Sequence, residues 1–385
     1  MTGQRPLAFY VPSLTVGGAE RVTVTIANGL AEQGYDVDLL VSFCEGEFKK
    51  EVRSDVRLLD LETPSIPGLG IGAAIPALRR YLRDESPSII FSQMTYANDV
   101  CLVAHGLAGS DAVTVPTVHN TLGVQESPKE KFVEWLAGRL SGRADQFVAV
   151  SEGAAESIVE HVGVSPEDVT VLHNPIPVEE VRMRSREPVE HEWVGDPEYE
   201  VVLGVGRLEP QKNFGSFLKA FRRVHEARPQ TRAIIVGRGS ERDELKQLAR
   251  DLGISDKVSF PGYVDNPYGY MAGASVLAMS SVHEGLPTVL IEALACGCPV
   301  VSTDCPSGPY EILEGGEVGP LVPVGDDDAL ADGIRTTLSH PPKKERLVDR
   351  ARDFAPESVL RDYEAFIRAH LPTEASSHSP AEIEQ

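Results

Sequence analysis

The chain has 385 residues, a length that suits two or three domains. With 42% hydrophobic and 24% charged residues, 34 glycines and 28 prolines, it cannot be a disordered chain, a collagen, a coiled coil or a small disulfide scaffold. A net charge of −22 repels phosphate backbones, so nucleic acid is not expected as a partner.

The first fourteen residues contain no long apolar run, and no signal peptide is expected. Residues 7–12 predict a strand, followed by a glycine-containing loop and a helix over about 20–33. Further β-rich runs occupy 37–42, 88–92, 114–118 and 146–150. A charged, proline-bearing stretch without sustained apolar periodicity covers 178–200 and marks a composition break, with a linker near residue 180. The alternation then restarts, with strands at 201–205, 233–236, 258–260, 274–278 and 299–302 and helices at 214–226 and 241–252. A last helix is expected over 357–370, and the Ser/Pro/Glu-rich residues 372–385 are expected to be disordered.

Strands alternating with helix-length segments predict doubly wound parallel sheets. The reading is α/β, with two Rossmann-like domains facing across a cleft. The first spans 1–180 and the second 181–356, and helix 357–370 is expected to pack back on the first. In such sheets ligands bind beyond the carboxyl ends of the strands. The uncharged windows 63–78 and 266–283 are broken by Gly, Pro and polar residues, so no spanning helix is expected. Cys44, Cys101, Cys296, Cys298 and Cys305 have no disulfide or zinc spacing and read as reduced thiols of a cytoplasmic protein. Asp36 and Asp38 read as solvated strand-end charge, and Asp326-Asp327-Asp328 as a loop and helix start.

Four motifs carry chemistry. Gly17-Gly18-Ala19-Glu20-Arg21 lies between a strand and a helix, where free N–H groups suit a phosphate; a plain tight turn is the other reading. Gly206-Arg207-Leu208, with Gln211-Lys212-Asn213, follows a strand directly. Arg207 and Lys212 could together hold a diphosphate, or could make ordinary surface ion pairs. In Glu284-Gly-Leu-Pro-Thr-Val-Leu-Ile-Glu292, a helix is expected to start at Pro287 or Thr288, with Gly297 just past its end. Carboxylates in so apolar a segment need partners, and vicinal sugar hydroxyls are good ones. The plainer reading is a capping Glu284 and a solvent-facing Glu292. His119 follows a strand and could act on a substrate hydroxyl or be structural. His173-Asn174-Pro175 reads as a hinge or structural turn.

Together with Val150-Ser151-Glu152-Gly153, these motifs resemble the retaining glycosyltransferases of glycosyltransferase family 4, which have the GT-B fold. The resemblance covers nearly the whole chain. Residues 281–313 look most like enzymes that add hexose or N-acetylhexosamine units to lipid-linked or surface glycans. The resemblance implies that Arg207 and Lys212 neutralise the donor diphosphate, next to Gly206, and that Gly17 and Gly18 let the first-domain loop close on it. Glu284 would hydrogen-bond the donor sugar, Gly285, Leu286 and Thr288 would contact the donor, and Glu292 would take the ribose hydroxyls. The backbone around Tyr263 and Val264 would receive the base, uridine first and guanosine second. His119 would face donor sugar or acceptor across the cleft. Many members have glycine where Pro287 stands; proline has no N–H, so one backbone contact to the sugar is missing. Neither a cofactor nor a metal is implied, since donor-binding Asp-x-Asp motifs belong to another glycosyltransferase fold.

The partners implied are a nucleotide-diphosphate sugar and a glycan or lipid-linked acceptor. On a helical wheel over 128–143, Lys129, Phe132, Trp135, Leu136, Arg139, Leu140 and Arg143 share one side, opposite Glu130 and Glu134. This side either contacts anionic headgroups on the inner face of the membrane or lines the acceptor cleft. Two other classes fit the architecture: a nucleotide-sugar epimerase or hydrolase, and a non-catalytic nucleotide-sugar-binding protein. The former would act without an acceptor, and the latter would need no acceptor side.

Overall fold

The computed structural model describes residues 5–15, 17–64, 70–123 and 128–371. Among these, seven parallel strands make the first sheet: β1 (Leu7–Val11), β2 (Val37–Val41), β3 (Val56–Asp60), β4 (Ile89–Gln93), β5 (Val113–Val118), β6 (Phe147–Ala149) and β7 (Val169–Val171), in spatial order β3-β2-β1-β4-β5-β6-β7. Six parallel strands make the second: β8 (Glu200–Val205), β9 (Thr231–Val236), β10 (Val258–Gly262), β11 (Val276–Met279), β12 (Val300–Thr303) and β13 (Leu321–Val322), in order β10-β9-β8-β11-β12-β13. The central strands β1, β2 and β4 are buried along their whole length, because helices cover both faces of the sheet. Strand order reverses between β1 and β4 in the first sheet and between β8 and β11 in the second. Each reversal opens a crevice at the carboxyl edge. The loops after β1 and β8 carry the Gly17-Gly18 and Arg207–Lys212 motifs, and the loop after β11 carries Glu284.

Three strands escape the sequence pattern, and each lies at a sheet edge. β3 has a half-exposed, charge-bearing sequence, β7 is only part-buried, and β13 is two residues long. Edge strands need neither continuous apolar runs nor length.

Two expectations are corrected. The stretch 178–200 is not a bare linker. It contains the helix Val178–Arg184, and Val178, Val181 and Trp193 are buried in the second domain's core. Its apolar residues are too sparse to show a period, and only the β8–β11 sheet makes them a core. Asp38 is not solvated either. Arg57 grips its carboxylate bidentately at 2.7 and 2.5 Å, and Tyr81 donates to it at 2.6 Å. Both partners come from elements absent from the sequence reading, β3 and the helix Ile75–Asp84. By contrast, Asp326 does start a helix, accepting from Ala329 N at 2.8 Å.

The chain crosses between the domains twice. After β7 it enters the second domain, and the helix Pro356–His370 returns. Val359, Leu360, Tyr363, Phe366 and Ile367 pack into the first core, where Phe91 stacks on Phe9 at 4.9 Å and meets Tyr363 and Phe366 at 5.9 Å. Ile176 N donates to Phe354 O at 2.8 Å, tying the two crossings together. Residues 372–385 lie outside the described residues. The five cysteines are free thiols. No described helix is long and apolar enough to cross a membrane.

Candidate active site

The second-domain crevice is stitched from two loops. β8 runs into Gly206, and the stem of Lys212 lies over it, in contact distance of where a Cβ would stand. Lys212 ends a 3-10 turn, Pro210–Lys212, before Asn213, which takes the left-handed conformation (φ 48°) and caps the helix Phe214–Ala227. Lys212 Nζ donates to Glu284 Oε1 at 2.5 Å, and Ser281 Oγ donates to the same oxygen at 2.6 Å. Both charged side chains are nearly buried, at 15% and 9% exposed, so their attraction is little screened by solvent. Gln211 joins the loops further: its Nε2 donates to His283 O at 2.9 Å, and its O accepts from Val282 N at 2.9 Å. Arg207 stays exposed and donates to Gln211 Oε1 at 3.2 Å. The two cations predicted to share a diphosphate therefore line one crevice. One is nearly buried and paired with Glu284, the other exposed and bonded to Gln211.

The helix Thr288–Ala295 starts beyond Pro287 and ends before Gly297, whose left-handed φ of 71° turns the chain out. Glu292 lies within it, with Tyr268 OH 3.4 Å from its Oε1. Burial pushes the Glu292 carboxyl above its ordinary range, opposed by Arg21, Tyr268 and Arg184. Arg21 belongs to the first domain. It bridges the cleft to Glu180 at 3.6 Å, and its charge acts on both Glu292 and Tyr268.

The first domain contributes His119, at the end of β5. His119 Nε2 lies 2.6 Å from Gln93 Oε1, an atom that can only accept, so the ring proton sits on Nε2. Nδ1 is then a lone-pair acceptor, and it finds no partner among the described residues. Burial pulls the ring down to about 4, so His119 is neutral near pH 7 and can accept a hydroxyl's hydrogen bond. Gly17, in extended conformation, caps the helix Gly18–Glu32. The Glu20 carboxylate folds over it, filling the space a Cβ would need, and burial pushes that carboxyl up. A phosphate seated at this helix start would have to displace Glu20. Tyr263 and Val264 follow the edge strand β10, two strands from β8, with the Arg238 guanidinium 5.1 Å from the Tyr263 ring centre.

The domains touch at this site. A Cβ on Gly285 would collide with the His119 carbonyl, so only glycine lets the Glu284 loop pass beneath His119. Thr121 Oγ1 donates to Glu284 O at 2.6 Å, and Ser151 Oγ to Gly285 O at 3.0 Å.

Comparison with known proteins decides the family. Residues 16–180 match the model for Glycosyltransferase Family 4, and residues 186–354 match the model for Glycosyl transferases group 1. The chain belongs to the family 4 glycosyltransferases. A Campylobacter jejuni relative, N-acetylgalactosamine-N,N'-diacetylbacillosaminyl-diphospho-undecaprenol 4-alpha-N-acetylgalactosaminyltransferase, is 28% identical over 367 residues, 92% of this chain and 97% of the relative. Anabaena Alr3699/HepE, solved in complex with UDP, has a TM-score of 0.77 at 22% identity, over 94% of this chain and 100% of that one. The lipopolysaccharide outer core galactosyltransferase WaaB, in its apo form, has a TM-score of 0.74 at 21% identity, over 95% and 100%. The fold of this glycosyltransferase is accordingly GT-B.

Helix Pro128–Leu140 of the glycosyltransferase divides the face read from the wheel. Phe132 (59% exposed) and Trp135 (54%) stack outward at 5.7 Å, with the Arg139 guanidinium 5.2 Å from the Trp135 ring centre. Leu140 turns inward and is buried. Arg143 lies in the following 3-10 turn, against Gly106, and leaves the face. The side chains of Lys129 and Glu130 lie outside the described residues. Among these, no group of three or more His, Cys, Asp or Glu residues could hold a metal ion.

Sequence reasoning missed Ser281, Thr121 and the reach of Arg21. Arg21 was legible inside its motif, but nothing local says that it crosses the cleft. Thr121 gave no signal, because its partner is 163 residues away and is fixed by tertiary packing; Ser281 lies only three residues before Glu284, but no helix, cap or motif reading pointed to it.

Proposed function

We propose that this glycosyltransferase moves a hexose or N-acetylhexosamine from a nucleoside-diphosphate sugar, a UDP-sugar first, to a glycan or lipid-linked acceptor, with retention of configuration. The observation that carries the reading is the pairing of Lys212 with Glu284 at the switch point of the second sheet, under His119 of the first domain. The Campylobacter jejuni relative, named for a diphospho-undecaprenol substrate, and the UDP complex of Alr3699/HepE point the same way.

The hard step is departure of the nucleoside diphosphate from the anomeric carbon. Arg207, Lys212 and the N-terminus of the helix Thr288–Ala295 stabilise the charge that grows on the leaving group. These groups do without a metal. The Glu284 carboxylate, held by Lys212 and Ser281 through one oxygen, offers the other to a sugar hydroxyl. Neutral His119 accepts from a hydroxyl across the cleft. Glu292 takes the ribose hydroxyls, and the backbone at Tyr263 and Val264 the base. Attack comes from the face that the diphosphate leaves, and a phosphate oxygen takes the acceptor proton. The exposed Phe132, Trp135 and Arg139 rest on the anionic inner surface of the membrane, which brings the cleft to a lipid-linked acceptor.

Calorimetry with UDP and GDP on wild type and Glu292→Ala tests this. UDP binding lost in the variant supports the ribose site. Well-folded wild type that binds neither nucleotide refutes the donor class. UDP release from UDP-sugars that is independent of any glycan acceptor would favour a hydrolase or epimerase instead.

A further inference from the structure

The loop that holds Glu284 is clamped by the other domain. Two consecutive carbonyls are engaged: Glu284 O by Thr121 Oγ1 at 2.6 Å, and Gly285 O by Ser307 Oγ at 2.7 Å and Ser151 Oγ at 3.0 Å. Ser151 and Ser307 also meet each other at 2.6 Å. Thr121 and Ser151 belong to the first domain and are buried, whereas Ser307 belongs to the second. The contact is built for close approach. A Cβ on Gly153 would stand 2.7 Å from Ser307 Cα, and Ser307 holds a left-handed φ of 74° that a side chain rarely adopts. Strain of that kind persists only where surrounding contacts over-determine it.

A trans peptide points its N–H opposite to its C=O. With the Glu284 and Gly285 carbonyls turned to the Thr121 and Ser151 hydroxyls, the N–H groups of Gly285 and Leu286 point the other way. Among the described residues neither N–H donates to a protein group. They stand just ahead of the first turn of Thr288–Ala295, on the loop whose Glu284 binds Lys212. Buried N–H groups at such a place are donors for an anion.

We infer that Thr121 and Ser151 are positioning residues: by holding these two carbonyls they orient the Gly285 and Leu286 N–H groups toward the distal phosphate of the donor. The donor site of the second domain is therefore completed by the first domain, and full affinity for a diphosphate requires the docked arrangement. The inference rests on the donor reading given above.

The test compares UDP with UMP, which lacks the distal phosphate, by calorimetry on wild type, Thr121→Val, Thr121→Val/Ser151→Ala and Thr121→Ser. Valine keeps the shape of threonine and removes the donor. The expected result is a five- to tenfold weaker UDP Kd in Thr121→Val, a larger loss in the double variant, UMP Kd within twofold throughout, and recovery in Thr121→Ser. A UDP Kd unchanged in both valine variants, with wild type binding UDP, overturns this inference alone. Equal weakening of UDP and UMP also overturns it, because it marks a general loss of structure. Wild type that binds no UDP removes the donor reading and this inference with it.

Discussion

Replacing Lys212 with methionine separates the structural work of the Lys212–Glu284 pair from its work on a donor. The substitution keeps the length of the stem over Gly206 and removes the charge. It leaves Glu284 nearly buried with one remaining donor, Ser281. Breaking a buried pair by removing one partner costs about 3–5 kcal/mol, and the surviving Ser281 bond places this case near 3. For a unit of 150–250 residues each kcal/mol moves the midpoint by about 2–4 °C, so the second domain should melt about 6–12 °C lower. Of the two tryptophans, Trp193 is buried in that domain and Trp135 is exposed in the other. Trp193 fluorescence in a Trp135→Phe background therefore reports the transition. The double variant Lys212→Met/Glu284→Gln leaves no buried charge and should recover at least half of the loss. UDP affinity should not recover with it: a charge-assisted contact of about 1.5–3 kcal/mol is gone in both, which is roughly a 10- to 150-fold rise in Kd. A midpoint shift below about 2 °C in the single variant, or a double variant no more stable than the single, would refute the buried-pair argument.

Two further outcomes follow from the geometry. His119 should confer pH-dependent stability on the first domain. Its folded value of about 4 lies below the unfolded value near 6.5, so between these the unfolded chain carries the extra proton. The contribution is complete above about pH 6.5 and is lost as pH falls to about 4, on the order of 3 kcal/mol. Denaturant unfolding of wild type and His119→Asn from pH 7.5 to 4 should give a difference that shrinks over that window; a constant difference contradicts the assignment. Phe132→Ala/Trp135→Ala should abolish flotation with vesicles of anionic lipid while leaving UDP affinity unchanged, and flotation equal to wild type would assign this face to something other than a membrane.

Much of the fold was legible because parallel strands buried on both faces must be apolar runs, and helices between them must be long enough to cross back. Such constraints are local, so the central strands could be read along the chain. Three of the four edge strands could not, since β3, β7 and β13 are released from that requirement by their position, whereas β10 keeps enough apolar character to be read at 258–260. The chemical motifs were equally local. A cation pair after β8 and a carboxylate ahead of an apolar helix at β11 lie at a sheet's carboxyl edge whatever the rest of the chain does.

Tertiary structure decided the partners. Asp38 looks like a solvated strand end until β3 and the helix beside it bring Arg57 and Tyr81 to it. Glu284 looks like a cap until Lys212, 72 residues earlier, reaches it across the switch point. Arg21, Thr121 and Ser151 look like helix and loop residues until the second domain docks. Sequence determined which residues could do the chemistry, because periodicity and turn chemistry act over a few residues. Which atoms meet was decided by the fold, because burial and hydrogen-bond pairing act through space.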